Sequence, residues 1–81
     1  MRVRLRYFAA LREAAGTDAE ALELPDGADV RAARAALAAR YPAMARALPG
    51  CAVALNRAYA AADAPLAEGD ELAFIPPLGG G

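Results

Sequence analysis

A single long stretch of helical periodicity limits the folds open to this chain. Apolar side chains recur every three or four residues from Val30 to Tyr41, and Asp29 is a good N-cap just before them. Pro42 then ends the helix, because the residue before a proline avoids helical geometry. The sequence of 81 residues therefore predicts one small domain, in which this helix covers one face of a sheet.

Short apolar runs around this helix predict the strands. Val3, Leu5 and Tyr7 alternate with arginines, which is the period of a strand with one buried face. Cys51–Leu55 is almost continuously apolar, which predicts a strand buried on both faces. The predicted strands are residues 2–8, 22–24, 51–55, 58–60 and 71–75, with helical turns at residues 9–15 and 44–48. This order predicts an α+β fold of the β-grasp type, a mixed sheet of about five strands around one main helix.

Composition argues against several kinds of site. Hydrophobic residues make up 58% of the chain, but 25 residues are alanine, so the predicted core has few large side chains. There is no histidine and a single cysteine, Cys51, which puts an internal disulfide and a zinc site out of reach. Cys51 opens an apolar run and is predicted to be a small buried side chain; a sulfur-carrying or redox thiol is the alternative.

The charge of the chain gives it no attraction for nucleic acid. The net charge is −1, and all nine basic residues are arginine. No apolar window reaches membrane-spanning length and the first residues lack the apolar stretch of a signal peptide, so we expect a cytoplasmic protein without a membrane partner. The absence of lysine leaves no side-chain amine for conjugation of the protein to itself.

The chain is predicted to leave its domain, residues 1–75, as an extended tail, residues 76–81. Pro76 and Pro77 fix the backbone angle φ and favour a stiff exit. Glycine has no Cβ, so the three glycines that end at Gly81 can thread a channel too narrow for other residues. Beyond the prolines the tail reaches roughly 13 Å at about 3.3 Å per residue, far enough to place a carboxylate in another protein's active site. The alternative is an ordinary frayed terminus.

The Gly81 carboxylate is the reactive group that the sequence presents best. The chain has no histidine or serine, and the four acidic residues between Asp63 and Glu71 are predicted to form a solvated cluster. A carboxylate resists nucleophilic attack until it becomes an acyl-adenylate, from which sulfide or persulfide can form a thiocarboxylate. Nothing in the chain is suited to bind ATP, so we expect a partner protein to activate the tail.

Three large apolar side chains stand outside the predicted core. Successive side chains of a strand point to opposite faces of the sheet. Phe8 is therefore predicted on the same face as the arginines of the first strand, and Ile75 on the face opposite to Leu72 and Phe74. Phe8 and Ile75 are therefore expected close together on the outer sheet surface, beside the root of the tail. Tyr59 lies in a strand that is otherwise alanine. Because exposed apolar patches often mark partner sites, these three residues are predicted to form a partner interface. The alternative is that loops bury Phe8 and Tyr59.

Arginines line the other side of the first strand. Arg2, Arg4 and Arg6 alternate with its core residues and are predicted to form a solvated face. Glu20 or Glu23 is expected to pair with them across the sheet.

Three segments and the end of the chain match a known family. They are Arg4–Glu13, Ala54–Arg57 and, most specific, Leu66–Pro77, followed by the diglycine Gly80-Gly81. Over its full length the chain resembles the small subunits of molybdopterin synthase, the MoaD-type sulfur carriers of the ubiquitin-like β-grasp family. Thiamine-pathway sulfur carriers share the fold and the Gly-Gly end, but they are shorter and usually lack the Phe-x-Pro-Pro element.

The resemblance implies a sulfur carrier and co-substrate whose catalytic groups lie on another subunit. A ubiquitin-activating-type enzyme, using ATP and magnesium, would adenylate Gly81, and a sulfur donor would make the thiocarboxylate. The carrier would dock on the large synthase subunit, in a heterotetramer, and give its sulfur to the cyclic pyranopterin precursor in molybdenum cofactor biosynthesis. No cofactor bound by this chain is implied. The large subunit would receive the tail residues Pro76, Pro77, Leu78, Gly79 and Gly80.

Gly79 departs from the family pattern, in which a side chain is common at this position. The departure is expected to loosen the tail without abolishing sulfur transfer, because glycine adds backbone freedom and no bulk.

Other functions stay open at this point. A sulfur carrier for thiamine or another pathway would use the same chemistry. A ubiquitin-like modifier would join Gly81 to lysine amines of other proteins, and a plain adaptor would have an inert tail. Partner capture separates them, since a large synthase subunit supports the first function and a ladder of covalent adducts supports the modifier.

Overall fold

The computed structural model describes residues 1–77 and has a five-stranded sheet with its helices packed on one face. The elements are β1 (Arg2–Tyr7), α1 (Ala9–Ala15), β2 (Ala19–Glu23), α2 (Val30–Arg40), β3 (Ala52–Leu55), β4 (Ala58–Tyr59) and β5 (Glu71–Ile75), with short 3-10 helices at Pro42–Met44 and Leu48–Gly50. The strand order is β2-β1-β5-β3-β4, with β1 and β5 parallel and the other neighbours antiparallel. This is the predicted α+β β-grasp fold, a mixed sheet with one principal helix.

The parallel pair of β1 and β5 places the last strand at the centre of the sheet. Leu5 lies opposite Leu72 and Tyr7 lies opposite Phe74 across this pair. All four side chains are buried in the core cluster that also contains the inner face of α2. Because β5 is hydrogen-bonded on both sides, the segment that leads to the tail starts from a well-supported position.

The principal helix α2 forms where the periodicity predicts it. The Asp29 carboxylate accepts a hydrogen bond from the Ala32 N–H at 2.9 Å and so caps the N-terminus. Val30, Ala33 and Leu37 are buried, and burial of a side chain the size of valine or leucine stabilises the fold by about 1.5–3 kcal/mol. Within residues 1–77, no helix has the length and apolar character needed to cross a membrane.

The first strand is one residue shorter than predicted. It ends at Tyr7, and Phe8 is the extended N-cap residue of α1. Ala9 has a positive φ of 50°, which turns the chain out of the sheet. The alternating pattern could not reveal this end, because an aromatic residue at Phe8 also suits a strand.

The second strand begins earlier than predicted. It spans Ala19–Glu23 and not residues 22–24. Ala19 and Ala21 pair with β1, but alanine has little strand preference, so the pattern held no sign of them. Leu24 lies just beyond the strand and is buried.

The helical turn predicted at residues 44–48 is right in part, because the region is helical but does not form one continuous turn. Two separate 3-10 helices occupy this region, and each has a proline in its first turn. Proline suits the first turn of a helix but cannot continue one, so Pro42 and Pro49 break the segment into short pieces. Met44 and Leu48 are nevertheless buried in the core.

The third strand is not buried on both faces, contrary to the prediction. Val53 is buried, whereas Ala52 is exposed and Ala54 is half-buried on the outer face. An apolar run that contains alanines does not reveal its faces, because alanine is tolerated in both settings. Cys51, just before the strand, is buried as predicted, and its thiol donates to the Ala47 carbonyl at 3.3 Å.

Candidate functional site

The chain leaves the domain from the end of β5. Phe74 is fully buried, Ile75 and Pro76 are half-buried, and Pro77 is exposed, so the backbone emerges gradually into solvent. Outside the described residues lie the other predicted tail positions, Leu78, Gly79, Gly80 and Gly81. Residues 1–77 show which side chains pack behind the end of β5 and which surface lies next to it.

Arg34 of α2 fixes the region behind the end of β5. Its guanidinium donates to the Leu48 carbonyl and, at 3.3 Å, to the Cys51 carbonyl. The same group lies 5.5 Å from the centroid of the Phe74 ring, a cation–π distance. One side chain thus joins α2, the second 3-10 helix and β5. Sequence reasoning missed this residue, although an arginine on the apolar stripe of a helix is a usable signal.

Phe8 and Ile75 lie at neighbouring positions beside the root of the tail. β1 and β5 stay in register up to Tyr7 and Phe74. Phe8, the extended residue just after β1, and Ile75, the last residue of β5, directly follow this pair. Phe8 is 43% exposed and Ile75 is half-buried. Phe8 is therefore not covered by a loop.

Tyr59 is the most exposed large apolar side chain among residues 1–77, at 80%. It pairs with Ala54, and Ala54 in turn pairs with Ala73 of the central strand. We name the surface formed by these residues the outer apolar face. Its members are Phe8, Tyr59, Ile75, Ala54 and Ala73. Large side chains at its margins and small ones between them leave a surface that another protein can fit against.

Glu20 joins three elements on the opposite side of the sheet. Its carboxylate accepts hydrogen bonds from the hydroxyls of Tyr7 and Tyr41 at 2.5 and 2.6 Å, and Arg40 lies 3.3 Å from it. Of the two glutamates predicted as possible partners of the outer arginines, Glu20 is not one, because its register opposite Leu5 turns it toward the core side. Glu23 does make the predicted ion pair, with Arg2 at 2.8 Å.

This network shifts the titration of its members. Partial burial opposes ionisation of Glu20, but hydrogen bonds from Tyr41 and Tyr7 and the charge of Arg40 outweigh it and lower the pKa of Glu20. Burial and the bond to Glu20 raise the pKa of Tyr7, and the bond to Glu20 raises the pKa of Tyr41. Glu20 is therefore a charged residue that links β2 to β1 and to the end of α2, and both tyrosines stay protonated at neutral pH.

The loop before β5 is organised by Asp70 and Asn56. Asp70 accepts hydrogen bonds from the Asn56 side-chain amide at 3.0 Å and from the Ala67 N–H at 2.8 Å. The Asn56 amide oxygen accepts from the Glu71 N–H at 3.0 Å. The acidic cluster therefore contributes to loop structure, and residues 1–77 contain no group of three or more metal-binding side chains.

A shallow groove of about 220 Å³ lies on the helical side of the molecule, between α2 and the second 3-10 helix. Its lining is mostly apolar, with Ala35, Ala38 and Leu48, and also includes Arg31 and Arg34. The groove is smaller than the roughly 300–1,000 Å³ typical of small-molecule sites. It does not resemble an ATP site.

Cys51 is poorly suited to carry sulfur. Burial raises the pKa of its thiol although the Arg34 charge opposes the shift. A buried, protonated thiol is a weak nucleophile, because the thiolate is the reactive form. What the described residues provide is a sheet with an apolar outer face beside the end of β5.

Comparisons with known proteins identify the family. The model described as the ThiS family matches residues 5–81. The molybdopterin synthase sulfur carrier subunit of Chlamydomonas reinhardtii is 40% identical over 83 residues, which cover 100% of both chains. The subunit of the same description from Escherichia coli (strain K12) is 38% identical, covering 98% of this chain and 99% of the relative.

Solved structures show the same fold. Small archaeal modifier protein 1 of Haloferax volcanii superposes with a TM-score of 0.86 at 30% identity, covering 95% of this chain and 98% of that chain. A chain from the complex of subunits 1 and 2 of molybdopterin-converting factor from Helicobacter pylori 26695 gives a TM-score of 0.72 at 26% identity, with 100% of both chains covered. These matches confirm the resemblance found in the sequence. The chain belongs to the ThiS family and is similar, over its full length, to molybdopterin synthase sulfur carrier subunits.

Proposed function

We propose that this chain is the sulfur-carrier subunit of a molybdopterin synthase and that Gly81 carries the sulfur. The Gly81 carboxylate attacks the α-phosphorus of ATP, forms an acyl-adenylate and releases pyrophosphate. Sulfide then displaces AMP and leaves a thiocarboxylate. With a persulfide donor, displacement of AMP gives an acyl disulfide, and a second thiol of the donor cleaves its S–S bond, which frees the thiocarboxylate and leaves the donor as a disulfide. The thiocarboxylate gives its sulfur to the cyclic pyranopterin precursor. The observation that carries the proposal is the similarity to molybdopterin synthase sulfur carrier subunits over 98–100% of this chain.

The proposal assigns activation to a partner. A ubiquitin-activating-type enzyme binds ATP with magnesium and adenylates the tail, and a separate donor supplies sulfur. The chain itself has no lysine or histidine and no glycine-rich loop followed by a helix, the features expected of a nucleotide site. We place these reactions in the cytoplasm.

The outer apolar face is proposed to dock on the large synthase subunit. Phe8, Tyr59 and Ile75 supply its large side chains, and the tail from Pro76 onward enters the active site of that subunit. Support comes from the exposure of Phe8 and Tyr59 beside the tail root. The Helicobacter pylori relative is itself described as a complex of two subunits.

A reconstituted sulfur-transfer reaction tests this function. The thiocarboxylated chain is mixed with the large subunit of the same organism and the cyclic pyranopterin precursor, and the dithiolene product is measured. We expect product with the full chain and none with a variant that lacks Gly81, because the carrier carboxylate is then displaced by one residue. Both proteins should bind the large subunit, since the outer apolar face is unchanged. Product formation by the shortened chain would refute the terminal-carboxylate mechanism.

A ubiquitin-like modifier is the second candidate. The similarity in fold to small archaeal modifier protein 1 favours it. The same activated Gly81 would then be attacked by a lysine amine of a target protein, with release of AMP and formation of an amide. Covalent adducts that depend on Gly81 and on ATP, in the absence of any product from the pyranopterin precursor, would support this candidate over the first.

A further inference from the structure

Three arginines on the outer face of β1 differ in how their charges are balanced. Arg2 and Glu23 form an ion pair at 2.8 Å between exposed side chains. Arg4 lies opposite Glu71 in the pairing of β1 with β5, so a carboxylate stands on the neighbouring strand. These two cations therefore have an acidic neighbour on the same face of the sheet.

Arg6 has no such neighbour. It lies between Ala19 on one side and Ala73 on the other, and its side chain is exposed. Among residues 1–77, no carboxylate lies within ion-pair distance of its guanidinium. The row of paired residues that contains it continues through Ala73 and Ala54 to Tyr59, so Arg6 borders the outer apolar face directly.

Docking on this face changes the surroundings of Arg6. Covering Ala73, Ala54 and Ile75 removes water from the surface beside the guanidinium. A cation that loses its water without a partner costs several kcal/mol, so a complementary surface must supply an acceptor at this point. The planar guanidinium fork matches the two oxygens of a carboxylate, which is the strongest protein acceptor available to it.

We propose that Arg6 is a specificity-determining residue that pairs with a carboxylate on the large synthase subunit. The inference rests on the proposed function, because it needs that subunit as the docking partner. Arg6 selects the partner through charge and takes no part in sulfur transfer. Arg2 contributes less, because its ion pair with Glu23 already offsets its charge. Arg4 forms no ion pair within residues 1–77, but its neighbour on β5 is Glu71, so its row of paired residues does not lead to the outer apolar face.

Affinity measurements with the three arginines as matched variants test the inference. Arg6→Gln, Arg4→Gln and Arg2→Gln are each titrated by calorimetry against the large subunit of the same organism. We expect Arg6→Gln to weaken binding by about thirty-fold or more, the range for truncation of a buried charge pair. Arg2→Gln should change the affinity by no more than about five-fold, as for an exposed pair. All three positions are exposed, so equal melting temperatures will show that the fold is intact.

Two further measurements separate selection from chemistry. In the sulfur-transfer reaction, Arg6→Gln should raise KM and leave kcat unchanged, and Arg6→Lys should recover part of the lost affinity because it restores the charge. If Arg6→Gln binds as tightly as Arg2→Gln while the native chain binds and transfers sulfur, the inference is overturned and the carrier function stands. If the native chain does not bind the large subunit, the proposed function fails, and the inference fails with it.

Discussion

Glu20 is the residue whose position differs most from what its sequence context indicates. A glutamate in an alanine-rich edge strand, three residues before Glu23, is expected at the surface beside the arginines. Its side chain is instead only 16% exposed and holds two tyrosine hydroxyls and Arg40. Since hydrogen bonds to a charged group are stronger than neutral ones, this carboxylate stabilises the fold more than an exposed glutamate can.

Replacing Glu20 by glutamine tests this role. We expect Glu20→Gln to lower the free energy of unfolding at neutral pH by about 1–3 kcal/mol, because two charge-assisted hydrogen bonds and an ion pair are weakened. The matched control is Glu23→Gln in the same strand, which should cost about 0–1 kcal/mol because its ion pair is exposed. Urea unfolding at neutral pH measures the free energy of unfolding of both variants. Equal decreases would contradict a special stabilising role for Glu20.

The pH dependence of stability also tests the contribution of the ionised Glu20 carboxylate. The pKa of Glu20 is lowered in the folded state, so its contribution is complete above the ordinary glutamate value of about 4.3 and is lost as pH falls below it. The stability difference between the native chain and Glu20→Gln should therefore shrink between neutral pH and about pH 3. A difference that stays constant over this range would show that the charge of Glu20 is not what stabilises the fold.

At the scale of elements, the hairpin between β3 and β4 contains backbone strain. Asn56 and Arg57 form its two-residue turn and have positive φ values of 50° and 72°. Such turns favour asparagine followed by glycine, and Asn56 is further held by its bonds to Asp70 and Glu71. Arg57 therefore occupies a position that glycine would fill with less strain.

Arg57→Gly should stabilise the domain by about 1 kcal/mol, because the left-handed conformation costs a non-glycine residue about 1–2 kcal/mol. Thermal unfolding measures the change. Asn56→Gly, at the neighbouring position, should instead destabilise the domain, since it removes the side-chain bonds that tie the turn to β5. A lower melting temperature of Arg57→Gly would show that the positive φ of Arg57 does not destabilise the domain.

Most elements were predictable from patterns that depend on a few large side chains. Val3, Leu5 and Tyr7 fixed the core face of β1, and Leu72 and Phe74 fixed that of β5. The patterns failed where alanine, which suits helix, strand and loop, carried no signal, as in β2 and on the outer face of β3. They also failed at the 3-10 helices, where proline placement outweighed apolar spacing.

The candidate site was predictable in part. Strand parity alone placed Phe8 and Ile75 on the outer face, and the structure brings them to neighbouring positions because β1 and β5 pair in parallel. The sequence already predicts that these two residues lie close together. Arg34 and the Glu20 network were missed, because their partners come from distant segments and no local pattern reveals such contacts.

At the scale of the whole molecule, the described residues form a sheet whose central strand β5 leads to the exposed Pro77. The N-terminal and C-terminal strands lie side by side at the centre of the sheet, and the outer apolar face includes Ile75 at the end of β5. The helices occupy the other face, so docking through the sheet leaves them free. This arrangement fits the proposed sulfur carrier, which would meet an activating enzyme and a sulfur acceptor in turn.

The mass of the intact protein, after incubation with its host's adenylating enzyme, ATP and a sulfide source, tests the central claim most directly. We predict a shift equal to the replacement of one oxygen by sulfur in the full chain and no shift in a variant that lacks Gly81. Chain-dependent release of pyrophosphate in the same reaction shows that the enzyme is active. An unchanged mass of the full chain under those conditions would contradict a sulfur carrier that works through its terminal carboxylate.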